Sequence, residues 1–199
     1  EDLYLPYKPK RRTRATQARE RGLEPLAQHI LDGDITQGIP LELAAQFIGE
    51  QVPDAEGALA GARDIVAEVV SEDAETRGFV RRALRVTGKL TSARIKNADA
   101  ESKYAMYYDY AEDIQRIPPH RLLALTRGER EGALSVNLVA DDEGILEDVA
   151  RKHSPGSRSI FAEALREAVA DGYARLLRPT VEREIRAEML EVAERHAIQ

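Results

Sequence analysis

The chain has 199 residues, 43% of them apolar and 32% charged, with a formal net charge of −6. That balance belongs to a globular domain or two small ones and excludes a disordered chain; no apolar run approaches the ~18 residues needed to span a bilayer. With no Cys, disulfides and thiolate zinc sites are excluded, and a cytoplasmic protein is the simpler expectation.

The charge is uneven. Residues 1–22 hold Lys8, Lys10, Arg11, Arg12, Arg14, Arg19 and Arg21 against Glu1, Asp2 and Glu20, a balance of +4, which leaves −10 on residues 23–199. This reads as a basic arm on an acidic body. The start is charged and turn-rich, unlike a signal peptide. The first residue is Glu1 and the only methionines are Met106 and Met189, so a piece of a longer protein is expected.

In chain order, Pro6 and Pro9 force an extended arm over Leu3–Pro9. A short helix follows over Arg14–Arg21, with Thr13 as N-cap and Gly22 as stop. Leu23, Leu26, Ala27 and Ile30 repeat at helical spacing up to Gly33. Pro40 suits a first helical position, followed by the stripe Leu41, Ala44, Ala45 and Ile48. Asp54 caps the clearest helix, Ala55–Val70, whose expected buried face is Leu59, Ala62, Ile65, Val66 and Val69. Gly57 and Gly61 on it would let another helix come close. Glu72–Val86 is again helical, with Gly88 as stop, and two short helices then give way to a polar stretch around Asn97.

Tyr104, Tyr107, Tyr108, Ala111 and Ile114 form a further helical stripe, ended by Pro118-Pro119. The β signal falls on Leu122–Thr126 and Ala133–Val139, joined by the Arg127–Gly132 turn, and is read as a hairpin. Three helices close the chain: a short one at Ile145, Leu146 and Val149; a long one from Ile160 to Leu176; and a last one from Val181 to Val192 with Thr180 as N-cap.

Four blocks resemble the Tex family of bacterial transcription accessory proteins. The first is Glu1-Asp2-Leu3-Tyr4-Leu5-Pro6-Tyr7-Lys8-Pro9-Lys10-Arg11-Arg12-Thr13, then Gly22-Leu23-Glu24-Pro25-Leu26-Ala27. The second is Ala58-Leu59-x-Gly61-Ala62-Arg63-Asp64-Ile65. The third runs from Tyr107-Tyr108-Asp109-Tyr110 through Ile117-Pro118-Pro119-His120-Arg121 to Arg127-Gly128-Glu129-x-Glu131-Gly132. The fourth is Asp171-Gly172-Tyr173-x-Arg175-Leu176-Leu177-Arg178-Pro179. The resemblance implies a bacterial cytosolic nucleic-acid-binding protein, related to a eukaryotic elongation factor. It also implies that the full-length form carries an RNase H-like domain, a helix-hairpin-helix module and an OB-fold RNA-binding domain, none of them in this chain.

Candidate sites are few. Lys8, Lys10, Arg11, Arg12, Arg14 and Arg19 could contact phosphates, although cations on such an arm can equally stay solvated or pair with the acidic body. The tyrosines Tyr104, Tyr107, Tyr108 and Tyr110 could stack bases, but their spacing favours core packing, with Tyr110 the most exposed. His29, His120, His153 and His196 have no metal-ligand spacing, and His120 is expected to fix a turn. Asp141-Asp142-Glu143 reads as a solvated turn. There is no phosphate loop and no nucleophile elbow.

The expected fold is therefore mainly α, a multi-helix bundle with one small β-hairpin. Its segments are an arm with a short helix (1–22), a helical region (23–120), the hairpin (121–140) and C-terminal helices (141–199). The expected function is a non-enzymatic helical scaffold of a nucleic-acid-binding, RNA-binding transcription accessory protein, with at most weak contacts of its own through the arm. No cofactor, catalytic residue or metal is assigned. Nucleic acid is met mainly through domains outside this chain, with transcription machinery a further partner and the membrane none. The alternative is a protein-interaction module that docks on transcription or translation machinery through its acidic helices.

Overall fold

The computed structural model describes residues 12–154 and 158–199, so the extended-arm reading for Leu3–Pro9 lies outside the described residues. The elements in chain order are α1 (Arg14–Glu20), α2 (Glu24–Asp32), α3 (Pro40–Ala44), α4 (Ala55–Glu72), α5 (Ala74–Thr87), β1 (Lys89–Arg94), β2 (Asp109–Asp113), α6 (Pro119–Arg130), β3 (Leu134–Val139), α7 (Asp142–His153), α8 (Ala162–Gly172) and α9 (Arg178–Ile198). The fold is mainly α with a small β part. Contacts divide the chain into two units. One contains the residues up to Asp73 with Asp148–Leu176, and the other contains Ala74–Glu147 with Leu177–Gln199.

The first unit is organised around α4, which packs against α1, α2, α3 and α8. Its start follows from local chemistry: the Asp54 side chain accepts a hydrogen bond from the backbone N–H of Gly57 at 2.6 Å. Thr13 caps α1 in the same way, through the Thr16 N–H at 3.0 Å. Gly22 and Gly33 both take the left-handed conformation that ends a helix, with φ of 78° and 61°. On α4 the buried residues are Ala58, Gly61, Ala62, Ile65, Val66, Ala67, Val70 and Ser71. Leu59 is only half-buried and Val69 is exposed. Ala62, Ile65 and Val66 of the expected stripe are buried as expected, and the buried face is broader than the stripe, taking in Ala58, Gly61, Ala67, Val70 and Ser71, because α4 has neighbours on several sides. Gly61 is one contact point: a Cβ there would fall 2.4 Å from Leu23 Cδ1.

The second unit combines α5, α6 and α9 with a three-stranded antiparallel sheet of order β2-β1-β3. Leu90 on β1 and Leu134, Val136 and Leu138 on β3 are buried, whereas Ser135, Asn137 and Val139 alternate outward. Arg77, Arg81 and Arg85 at one-turn spacing on α5 pair with Glu184 and Glu188 on α9, each carboxylate gripped by two guanidinium groups. The outer edge of β3 is partly closed. Glu182 accepts from the Leu138 N–H at 3.1 Å and Arg178 donates to the Leu138 carbonyl at 2.7 Å.

Three readings of this region are corrected. Leu122–Thr126 is part of α6, so the hairpin expected over 121–140 does not form; β3 pairs with β1, some forty residues upstream in the chain. A short apolar run such as Leu122-Leu123-Ala124-Leu125 suits either a buried strand or a buried helix, and Pro119, the first residue of α6, has a fixed φ that starts a helix. The tyrosine stripe is also not a helix. Ala105–Tyr107 is a single 3₁₀ turn and Asp109–Asp113 is the strand β2. β1 itself, expected to be short helix, pairs on both sides.

Thr180, expected to cap the last helix, lies inside α9. Residues 173–177 are π-helical and the chain remains helical through Pro179. A proline removes one helical N–H and crowds the carbonyl four residues back, and a π turn ahead of it relieves that clash.

Candidate nucleic-acid interface

Of the six cations assigned to the interface, Lys8, Lys10 and Arg11 lie outside the described residues. The other three sit on or just before α1, and two of them are held by the protein's own acids. Arg12 pairs with Glu20. Arg19 donates to Glu68 on α4 at 2.7 Å, with Glu24 also within 3.7 Å. The Glu68 hydrogen bond raises the Arg19 guanidinium further above its ordinary value. Arg14 is exposed and contributes to the field at Asp64 on α4. Part of the basic segment is thus neutralised against the acidic body, and Arg14 is the one of the three that is exposed with no ion pair among the described residues.

Asp64 is the carboxylate around which Arg14, Arg21 and Arg175 gather. Burial pushes it up from its ordinary value of 3.8, and the nearby arginines offset only part of that effect. Because the folded-state value is the higher one, the folded chain holds this proton more tightly than the unfolded chain. Ionisation therefore lowers stability: nothing is lost well below 3.8, and the full loss is present once the pH has passed the folded value. Asp64→Asn is expected to be near neutral at a pH of about 3 and stabilising at about 7. Denaturation midpoints at the two pH values check this, and a stabilisation that is larger in acid would contradict it.

The tyrosines are structural in the main. Tyr104 and Tyr107 are buried, and Tyr107 meets Tyr110 edge-on with ring centroids 5.3 Å apart. Tyr108 and Tyr110 are half-buried, and Tyr110 bonds Glu112. The Tyr104 hydroxyl donates to Glu131 at 2.6 Å, which holds that carboxyl below its ordinary range. His29 pairs with Asp34, His153 approaches Asp73, and His120 is exposed in the first turn of α6. Asp141, expected in a solvated turn, caps α7 through the Gly144 N–H at 3.1 Å, and Asp142 pairs with Arg178. Among the described residues no three His, Asp or Glu side chains come together as a metal site, and no helix is long and apolar enough to cross a membrane.

What sequence reading missed is a second basic region, on the second unit. Its cations, Arg94, Lys96, Lys103, Arg127 and Arg130, are dispersed over 37 positions and interleaved with acids, so no run of charge announces them. No signal in the sequence marks them, since the fold alone defines the unit and the unit as a whole is close to neutral. The second unit carries sixteen cations against seventeen acids, while the first carries thirteen against eighteen.

The fold is a mainly helical one in which arginine–carboxylate pairs tie elements distant in sequence, as Arg63 with Glu167 and Arg186 with Glu129. The chain belongs to the Tex central region-like family, whose model matches residues 36–199. It is 40% identical to the uncharacterized protein YdcI of Bacillus subtilis, over 100% of this chain and 28% of that protein. It is 44% identical to the transcriptional accessory protein Tex of Neisseria gonorrhoeae, over 69% of this chain and 18% of that one. Similarity extends to the S1 RNA-binding domain-containing protein 1 of Pongo abelii, at 27% over 100% of this chain and 21% of that protein. The chain thus spans less than a third of the length of these relatives.

Proposed function

We propose that this chain is a helical scaffold of a nucleic-acid-binding transcription accessory protein, and that its own contacts with nucleic acid are weak, non-specific and electrostatic. The observation that carries this reading is how the cations are used. Arg63 pairs with Glu167, Arg121 with Glu112, Arg178 with Asp142, Arg186 with Glu129, and the α5 arginines with α9. All but Arg121–Glu112, nine residues apart, tie together segments distant in sequence. Residues placed to hold helices in register suit a frame that positions other parts of a longer protein. The names of two relatives, a transcriptional accessory protein and an S1 RNA-binding domain-containing protein, support nucleic acid as what the longer protein meets.

The basic segment supplies the expected contacts, through Lys8, Lys10, Arg11, Arg12 and Arg14, with Arg19 committed to Glu68. Phosphate contact displaces condensed counterions, so affinity falls steeply with salt. Changing Lys10, Arg11, Arg12 and Arg14 together to Ser should weaken binding to single-stranded RNA and duplex DNA at least tenfold. The slope of log affinity against log salt should fall by about 3, given ~0.7–0.9 per phosphate contact. Nanomolar binding that ignores salt would sink the reading.

A protein-docking role is the second reading, and one feature favours it. A groove of about 480 Å³ in the second unit is lined by Ile114, Ile117, Pro119, Leu122, Met189 and Val192. Binding of a protein there would show little salt dependence, unlike phosphate contact.

A further inference from the structure

Seven of the thirteen arginines of the second unit are ion-paired; Lys96, Arg127 and Arg130 make no ion pair among the described residues, nor do Arg82, Arg94, Arg116 and Arg183, but only the first three, with Arg94 beside them, converge on one turn of the fold. The fold brings these three to one end of the unit. The Ile95 N–H donates to the Ala133 carbonyl at 3.1 Å, and the Ala133 N–H donates to the Gly128 carbonyl at 2.9 Å. The end of β1 and the last turn of α6 are therefore side by side. Tyr104 is seated on the same turn: a Cβ on Gly128 would lie 2.4 Å from Leu134 Cδ1 and 3.1 Å from Tyr104 Cδ1. Between β1 and Tyr104 the chain turns back through Asn97, at φ 79°.

Arg94, Lys96, Lys103, Arg127 and Arg130 are all exposed around this junction. Arg94 lies 5.8 Å from the centroid of the Tyr108 ring and Lys103 lies 5.2 Å from that of Tyr104. The nearby acids are Asp99, Glu101 and Glu131, while Glu129 is engaged by Arg186 at 2.7 Å. Asp109, paired with Ala93 beside Arg94, is a fourth acid, and Lys103 lies 3.5 Å from Glu131, so the excess is one positive charge, in a chain whose total is −6, carried by Lys96, Arg127 and Arg130. Favourable placement at a helix C-terminus accounts for Arg127 and Arg130 taken alone, but not for Lys96, which comes from a separate loop.

We propose that this end of the second unit is a contact surface for the phosphate backbone of nucleic acid, with Lys96, Arg127 and Arg130 bound to phosphates. Arg94 and Lys103, laid over tyrosine rings, keep the local field positive. The surface has no array of base-reading groups, so recognition is independent of sequence. The inference rests on the reading above that the protein works on nucleic acid, and it adds a second surface to the basic segment of residues 8–14.

The test uses the whole 199-residue chain and a fluorescein-labelled oligouridylate of about 12 nucleotides, titrated at two salt concentrations. Lys96→Ser/Arg127→Ser/Arg130→Ser is compared with Arg151→Ser/Arg166→Ser/Arg195→Ser. The second triple removes the same charge from arginines that each pair with an acid on their own helix. The cluster variant is expected to lose about tenfold in affinity and to lower the salt slope by about 2, while the control changes affinity by less than about twofold. Equal effects of the two triples would reduce the surface to net charge and overturn the proposal. So would polyglutamate competing as well as unlabelled oligouridylate at equal charge, which would point to an acidic protein. Binding abolished by the arm substitutions but untouched by the cluster variant would remove this surface and leave the nucleic-acid reading standing. No binding by the unaltered chain would remove both.

Discussion

Ile65→Asp is expected to unfold the first unit, whereas Val69→Asp, one turn further along the same helix, should change stability by no more than about 0.5 kcal/mol. Ile65 is 1% exposed in the middle of α4, while Val69 is 39% exposed. Aspartate at position 65 loses the transfer free energy of a buried isoleucine and must either ionise in an apolar site or hold a proton at neutral pH. Together these cost about 5 kcal/mol, the scale of a small unit's whole stability. Leu59→Asp should fall between the two, because Leu59 is half-buried beside Pro40 and Ile160. Chemical denaturation of the three variants checks the order. A Leu59→Asp variant as damaged as Ile65→Asp would restore the face expected from periodicity.

Gly172→Val should lower stability by about 3 kcal/mol, and Gly78→Ala should raise it by about 0.5–1 kcal/mol. A Cβ at Gly172 would lie 2.8 Å from the carbonyl oxygen and 3.1 Å from the Cα of Ala67, with Ser71 Oγ at 3.0 Å. Two of those three neighbours are backbone of α4, so they cannot swing aside, and α4 and α8 would have to separate. Ser71 also donates to the Gly172 carbonyl at 3.2 Å, a bond that would go with the packing. At Gly78 a Cβ would meet only the end of the Arg82 side chain, at 3.3 Å, which can move, so the added methyl simply removes backbone freedom from the unfolded chain. Thermal midpoints measure both changes. A Gly172→Val variant as stable as the parent would mean that α4 and α8 do not approach this closely.

Local chemistry decided much that sequence reading could see. Thr13 and Asp54 cap the helices they were expected to cap, Gly22 and Gly33 end theirs, and Pro40 opens α3. These features depend on side-chain to backbone bonds or φ preferences within a few residues, so they survive whatever the rest of the chain does. Misreadings fell where an element depends on distant partners. β1 reads as polar and weakly apolar by turns, and it becomes a strand because β2 and β3 complete its ladder from either side. The tyrosines of 104–110 repeat at helical spacing, yet two are buried by the ends of β1 and α6.

The chain's own residues determined that it is mainly helical and where the caps and stops fall, and its four motif blocks determined the family. They also placed positive charge in residues 8–21. Only the tertiary structure decided how broad a face of α4 is buried, how residues 122–139 divide between helix and strand, and which cations stay unpaired. Propensity, capping and periodicity act over a few residues, and the sequence displays them directly. Burial, sheet pairing and the grouping of Lys96 with Arg127 and Arg130 depend on contacts across 30 or more positions, which only the folded chain brings within reach.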